Sequence, residues 1–573
     1  MTEKRWSQAP ARRNQILLYP QCLDEVVPES HPVRTLDVIL SKIDWSAWEA
    51  PYDGHCGQPP IHPRLMAGAI LYGVIRRIRS SRELEAATHE RVDYMWWFEG
   101  RTVDHSTFAK FRVQFKEELK SLNRQIGKLI CTHYQNTLLG LIIDGTRMRA
   151  DSDRHGARTA QCLDRLVAAC VAELDKRLEH LGKLDVQEET VDDPEKDLLR
   201  KEVEQLRHKI EKYKTALSVA QARDEKKQKE HGKKATPVRV PVTDPDAQIT
   251  PNKEGGFAPN YLPVAGVNAA TGHIAYEDVL PDSDENMSVA ASVEQVTAEQ
   301  GSAPDWIAAD SGFASGENLR WLEERQVTAY MPTNTDFREK NPANRPDPTQ
   351  PVPDEQVAHL PRKNGKFSHA AFIYDAEHDR YYCPTGEALL PKGTGHYHRT
   401  KIGYTKYQCP GCEQCPLSKQ CVSEKATVRT VQRDQYQAYR ERTGKRMATA
   451  EGGEIYGKRA PVVEGVFAVI KHIMGIRRFL LRGLDKVRIE WQWICGAFNL
   501  KRLLKLMMAL NNGLDTTNPS AKGAGIGKND RHKAIFCAIL LTLAIIVAAQ
   551  RCRSKVFGVV TSTGAACHLA RVA

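Results

Sequence analysis

No stretch of the 573-residue chain reaches the roughly 20 consecutive apolar residues that cross a bilayer. The longest apolar run, residues 534–549, is interrupted by Thr542 and flanked by Lys533 and Arg551. A polytopic membrane protein is thereby excluded, and the run reads as a buried or peripheral helix. The first ten residues carry charge without an apolar core, so no secretory signal is expected and a reducing, cytoplasmic setting is the default. Internal repeats are absent. The run Gly523-Ala524-Gly525-Ile526-Gly527-Lys528-Asn529 lacks the glycine spacing and the Ser/Thr of a phosphate loop, which removes a nucleotide site. Extreme composition is missing too: 41% hydrophobic and 27% charged residues leave no room for wholesale disorder or a collagen-like chain.

What is there is enough chain for several domains. Residues 62–133 follow a helical pattern. Ser80 or Ser81 is placed to cap a helix that continues through Arg82, Glu83 and Leu84. Asp104-His105-Ser106-Thr107 precedes Phe108, Phe111 and Phe115 on one helical face, with Lys110, Arg112 and Lys116 on the others. Two readings fit this block, a helix-turn-helix with a basic second helix and an ordinary helical bundle with solvated cations. Within it, Trp96-Trp97-Phe98 is read as core rather than as a base-stacking platform.

Residues 138–145 form a short apolar run ending in Asp144, the pattern of a buried central strand. Two stripes follow: Leu163, Val167, Cys170, Leu174, Leu178 and Leu181, then Leu199, Val203, Leu206, Ile210, Tyr213 and Leu217. Asp192-Asp193-Pro194 separates them, which predicts an antiparallel helical hairpin, either a dimerisation arm or an insert packed on itself. Residues 261–267 and 273–280 read as a β-hairpin, residues 285–299 as a helix and residues 306–309 as a buried strand running into Asp310. A helix over 315–325 and a strand over 327–331 complete the series. Residues 334–453, rich in Pro, Gly and polar residues, read as an inserted subdomain, and residues 460–481 as one amphipathic helix.

Phosphoryl transfer on a nucleic acid backbone uses two divalent cations about 3.5–4 Å apart, and hard cations need carboxylates brought together by the fold. Asp144 and Asp310, each at a strand end, would converge if their strands are neighbours. Glu464 lies in the run Tyr456, Arg459, Glu464, Lys471, Arg478 and Arg482; on one continuous helix, 464, 471, 478 and 482 share a narrow arc, a carboxylate followed by a line of cations. The bland alternative is a surface helix with solvated charges. Five of the 14 cysteines fall in one stretch, with Cys409, Cys412, Cys415 and Cys421 closely spaced and Cys383 upstream. This suits a tetrahedral structural zinc site with one of the five thiols to spare, against the alternative of free buried thiols.

These residues resemble the DDE transposases of bacterial insertion sequences. Asp144 in Ile-Asp-Gly-Thr, Asp310 in Ala-Asp-Ser-Gly-Phe and Glu464 in Val-Glu-Gly-Val-Phe match that family's acidic triad. Tyr456, Arg459, Glu464 and Lys471 resemble the tyrosine-arginine-glutamate-lysine signature of one branch, with four residues instead of three between Arg459 and Glu464. The motifs His31-Pro32-Val33-Arg34, His62-Pro63-Arg64, Ser80 to Leu84 and Asp104 to Phe108 are similar to the family's helical DNA-binding domain. The resemblance implies an α/β fold with an RNase H-like mixed-sheet core, an all-α N-terminal DNA-binding domain, a helical-hairpin insert and a cysteine-rich zinc-binding insert. The corresponding division is 1–135 (N-terminal domain), 136–155 and 236–333 (first two parts of the core), 156–235 (helical insert), 334–455 (cysteine insert), 456–510 (catalytic helix region) and 511–573 (linker and apolar tail).

Implied with it is an enzyme that binds element ends and carries out metal-dependent hydrolysis and strand transfer. Asp144, Asp310 and Glu464 would hold two Mg²⁺ or Mn²⁺ ions, while Tyr456, Arg459, Lys471, Arg478 and Arg482 would contact DNA. The expected partners are double-stranded DNA, both element ends and target, and further copies of the chain as a homodimer or higher oligomer, with no membrane. Two rivals remain: a two-metal nuclease without strand transfer and a transposase-derived DNA-binding protein that has lost its chemistry. The formal charge of +11 sharpens the expectation, because residues 456–573 hold 19 Lys and Arg against 5 Asp and Glu and outweigh a slightly acidic middle of the chain.

Overall fold

Gly-Leu-Ile-Ile-Asp-Gly is apolar up to its acidic fifth residue, and it forms strand β1 (Gly140–Gly145), whose first four residues are buried. The computed structural model describes residues 22–53, 59–134, 140–187, 194–231, 236–251, 255–282, 284–397, 401–424 and 426–511. The apolar run at 534–549 and the glycine-rich run at 523–529 lie outside them. The described residues fall into two compact units, divided at Glu118/Leu119 and at Asn499/Leu500.

In the second unit β1 is joined by β2 (Met148–Arg149), β3 (Gln248–Pro251), β4 (Phe257–Asn268), β5 (Ile274–Leu280), β6 (Trp306–Ala308) and β7 (Thr328–Tyr330) in one seven-stranded sheet. The path runs β2-β4-β1-β6-β7, with β3 and β5 also paired to β4. It is a mixed sheet. β4 pairs antiparallel with both β1 and β5, the latter as the expected hairpin, whereas β1, β6 and β7 are parallel. Helices Met287–Gln300 and Gly316–Glu324 contribute Val289, Val293, Leu319 and Leu322 to the core that also contains Leu141, Ile143 and Ile307. Ser315 caps the second of these helices by accepting from the Asn318 amide at 3.1 Å.

Two long segments interrupt this sheet. Between β2 and β3 stand helices Ala160–Gln187 and Pro194–His231. Leu163 near the start of the first packs with Ala216 and Ala220 near the end of the second, so the pair is antiparallel, and Arg177 reaches Glu202 at 3.1 Å. After β7 comes a second sheet, an antiparallel meander of Ile373–Asp375, Arg380–Tyr382, Ala388–His396, Gly403–Gln408 and Thr430–Asp434. Its core holds Phe367, Tyr381, Leu389, Tyr407 and Val431 together with Cys383, Cys409, Cys412 and Cys421.

The single helix expected over 460–481 is not formed. An α-helix covers Arg459–Ala468, a π-helical turn covers Val469–Ile473, and Gly475 at φ 74° ends it. The chain beyond is extended: Phe479 N donates to Arg149 O at 2.9 Å, which ties it to the edge of β2. Buried Glu490, on the final helix Leu484–Asn511, accepts from the Leu480 and Leu481 amides at 2.8–3.0 Å and fixes the exit. A glycine in the left-handed region and a buried carboxylate collecting amides outweigh the amphipathic pattern of this segment.

In the first unit, the described residues up to 118 form helices, among them Pro32–Leu40, Pro63–Ile75, Ser81–Glu90, Val92–Trp97 and His105–Gln114. Ser80 and Glu83 make a reciprocal capping box, and Asp104 caps the last helix, its carboxylate accepting from Ser106 N at 2.7 Å. Phe108, Phe111 and Phe115 are buried, with Trp48 packed against the last two. Trp97 and Phe98 are core, as expected, and the Trp97 indole donates to Leu65 O at 2.8 Å, whereas Trp96 is only half-buried and its indole donates to Asp24 Oδ1 at 2.9 Å. Arg112 is a correction: it is buried, and its guanidinium donates to the Arg79 carbonyl instead of facing solvent.

Candidate active site

Parallel pairing of β1 with β6 sets Leu141 opposite Ile307 and Ile142 opposite Ala308. Asp144 and Asp310 each lie two residues beyond the second pair, at the same end of neighbouring strands, so the register brings them together. Asp310 is held by the short turn it caps, its Oδ1 accepting from Gly312 N at 2.7 Å. Helix Arg459–Ala468 packs Val463, Val466 and Phe467 inward and leaves Glu464 exposed. All three carboxylates line one cleft of about 870 Å³.

Much of the remaining wall carries cations, Arg147, Arg149, Arg459, Lys471, Arg477 and Arg478, with His472 beside them. Arg459 donates to Asp144 Oδ2 at 3.2 Å, with both side chains mostly buried. Burial raises the Asp144 carboxyl above its ordinary range, Arg459 pulls it back, and Asp310 adds to the rise. Lys471 sits in the π-helical turn, where its ammonium donates to Thr146 Oγ1 at 2.5 Å and to the Arg147 carbonyl at 3.1 Å. A π turn re-aims one side chain relative to the α-helix before it; here it lays Lys471 on the loop following Asp144. Arg478 lines the cleft from the extended segment and lies 3.8 Å from Asp151. Arg482 does not line it; its guanidinium is engaged by Asp151 at 2.9 Å. Tyr456 also lies outside the lining, beneath Arg459, whose guanidinium is 5.8 Å from the ring centre.

Sequence patterning passed over one residue, Glu285. It enters the cleft between the two strand ends: a Cβ on Gly145 would stand 2.5 Å from its Oε1, and a Cβ on Gly312 would stand 3.2 Å from its Oε2. Its carboxyl is pushed up to about 7, by burial first and then by repulsion from Asp310 and Asp144. Acidic residues before a helix are ordinary first-turn charges, so Asp282, Asp284 and Glu285 carried no distinguishing signal. The one clue was glycine following Asp144 and again two residues after Asp310.

The donor set of this cleft fits hard divalent cations. Asp144 and Asp310 stand at the carboxyl ends of neighbouring parallel strands with Glu285 between them, and positive charge there would relieve the burial and repulsion that raise the Asp144 and Glu285 carboxyls. The expected zinc site is different. The five thiols line a small cavity with Phe367 and Leu417. A zinc ion about 2.3 Å from each of four thiolates requires sulfurs mutually under about 4 Å. Among the described residues, the group of three or more donors whose ligand atoms all lie within 4.8 Å is Glu85, Asp104 and His105, not the cysteines. Cys383 Sγ is 3.0 Å from Thr385 Oγ1, Cys412 Sγ accepts from Arg429 N at 3.2 Å, and the Cys409 thiol lies in hydrogen-bonding contact with both Cys383 and Cys412.

An acidic cleft rimmed by cations on a mixed α/β sheet is the class that fold and site define. Residues 382–504 match the family described as Transposase DDE domain, and residues 21–114 match the Transposase domain DUF772. Both matches support a DNA transposase, and the first implies use of divalent metal. No curated protein is similar enough to count as a match. Among solved structures, the cryo-EM structure of the piggyBac transposase synaptic complex with hairpin DNA aligns over 92% of this chain and 83% of that one at 11% identity, with a TM-score of 0.29, too loose to bear on the fold. On the strength of the two family matches, the chain is related to the DDE transposases of insertion sequences.

Proposed function

We propose that this protein binds the ends of an insertion sequence and catalyses hydrolysis of the phosphodiester at those ends, followed by joining of the freed 3′ hydroxyl to target DNA. The observation that carries the reading is the presence of Asp144, Asp310 and Glu464 in one cleft that also carries six Lys and Arg side chains. Divalent cations bound there would supply Lewis acidity at the scissile phosphate and lower the pKa of the attacking water. Asp144, Asp310 and Glu464 would hold these ions. In the metal-free cleft Arg459 neutralises Asp144, and it is free to turn to a DNA phosphate once that charge is otherwise balanced. Lys471, fixed on Thr146, and Arg478, on the extended segment, hold the backbone of the bound strand across the carboxylates. Arg482, committed to Asp151, positions that segment and makes no phosphate contact.

The test uses full-length protein and a plasmid carrying the element ends, with Mg²⁺ or Mn²⁺. Asp144→Asn, Asp310→Asn and Glu464→Gln should each abolish cleavage while leaving end binding within a few fold of wild type. Cleavage retained by any of the three would remove that residue from the site. Pre-cleaved ends supplied with target DNA distinguish a transposase, which joins them, from a nuclease, which does not.

A further inference from the structure

We infer that Glu285 is a fourth carboxylate ligand of the divalent-cation site, an assignment that rests on the transposase reading above. Its backbone is fixed before helix Met287–Gln300. The Glu285 carbonyl accepts from Ser288 N at 3.1 Å and Ser288 Oγ at 2.7 Å. The next carbonyl, Asn286 O, accepts from Asn318 Nδ2 at 3.0 Å, and the same amide group also bonds Phe313 O at 3.0 Å. From this anchored position the side chain reaches back to both strand ends.

Two glycines make its seat. One carboxylate oxygen occupies the space a Gly145 side chain would take, beside Asp144. The other lies 3.2 Å from the Cβ position of Gly312, a point that Asp310 Oδ1 approaches to 3.0 Å. Among the described residues no hydrogen bond or ion pair engages the Glu285 carboxylate. The nearby cation, Arg147, donates to Pro251 O at 2.9 Å. A carboxylate held on an anchored backbone, seated against glycines and aimed at two other carboxylates needs a compensating positive charge. An oxygen-coordinated divalent cation supplies it. The match of residues 382–504 to a transposase DDE domain, on which the transposase reading rests, implies use of such ions in general.

Manganese binding by the full-length protein, without DNA and without turnover, tests the assignment through the spectroscopic signal of free Mn²⁺. Glu285→Gln should weaken Mn²⁺ binding about tenfold or more, comparably to Asp310→Asn, while metal-free circular dichroism and end binding in EDTA stay unchanged. Gly145→Ala is the companion variant, since it keeps every carboxylate but displaces Glu285. It should weaken binding too, and it decides the matter if Glu285→Gln does not fold. Wild-type affinity in either folded variant, alongside loss in Asp310→Asn, overturns the fourth ligand and leaves the transposase reading standing. Wild-type affinity in both Asp144→Asn and Asp310→Asn would instead overturn the reading itself.

Discussion

On the proposed function, a divalent cation held by Asp144 would compete with Arg459, which donates to Asp144 Oδ2 at 3.2 Å. The ion pair is partly buried and therefore only weakly screened, so removing its cation should favour metal. Arg459→Ala is expected to bind Mn²⁺ several fold more tightly in the absence of DNA and to bind element ends more weakly; calorimetric titration with each ligand checks both. Unchanged metal affinity would show that the pair does not oppose binding. Away from the cleft, Glu277 on β5 is largely enclosed, faces Glu299, Asn123, Lys120 and Arg124, and has its carboxyl pushed up to about 8 by burial and by Glu299. Because the folded protein holds this proton more tightly than the unfolded chain, its contribution to stability is complete below about pH 4.5 and is lost as pH rises toward 8. Glu277→Gln should therefore gain stability over wild type progressively across that window, by roughly 2–4 kcal/mol at pH 8 and above. Melting curves at pH 5 and pH 8.5 would reveal the difference, and a gain independent of pH would contradict it.

Legibility from sequence divides along the same residues. Asp144 and Asp310 were readable because each ends a short apolar run, and a buried parallel strand has that pattern whatever surrounds it. Glu285 was not readable, because its role comes from a fold that carries it back across two strand ends to glycines far away in sequence. Arg112 failed for a related reason: a helical wheel reports which face a cation occupies, not that the Arg79 carbonyl waits there.

At the scale of elements, the segment after Glu464 shows how local periodicity is overridden. Phe467, Ile470 and Met474 do face inward as a helix predicts, yet Gly475 ends the helix, and Asp151 and Glu490 organise the extended chain beyond it. Glu490→Ala would strand the Leu480 and Leu481 amides, at a cost on the order of 2–3 kcal/mol. It should also loosen the chain carrying Arg477 and Arg478, so end binding should weaken together with the fall in melting temperature. Full stability in that variant would mean other acceptors take over the amides. The insert after β7 was legible as an insert from its Pro, Gly and polar content, while its five-stranded meander was not. Its cysteine spacing predicted thiols brought together, and the five do line one small cavity, while no three of their sulfurs lie within 4.8 Å of one another.

For the whole molecule, the family matches cover part of the basic C-terminal stretch and only one of the three acidic residues. The matched regions span 21–114 and 382–504, whereas Asp144 and Asp310 lie between them and were joined to Glu464 only by the sheet. The positive excess of residues 456–573 begins at the helix that carries Glu464. Replacing both Arg477 and Arg478 by Ala should lower the slope of log affinity for DNA against log salt by about 2, close to one for each phosphate no longer neutralised. Binding measured from about 50 to 300 mM salt gives that slope, and an unaltered value would remove these two side chains from the DNA interface.

The order of the strands carries a consequence for synthesis. Asp144 is made early, Asp310 only after the helical hairpin, and Glu464 only after the second sheet, so the cleft cannot close until nearly all the described chain has been translated. A product truncated anywhere between residues 145 and 463 would retain the N-terminal transposase-matched region and lack Glu464, so on the proposed function it could not cut. If that region holds DNA by itself, every prematurely ended chain becomes a competitor for the element's ends, and the gene would carry a built-in restraint on its own mobility.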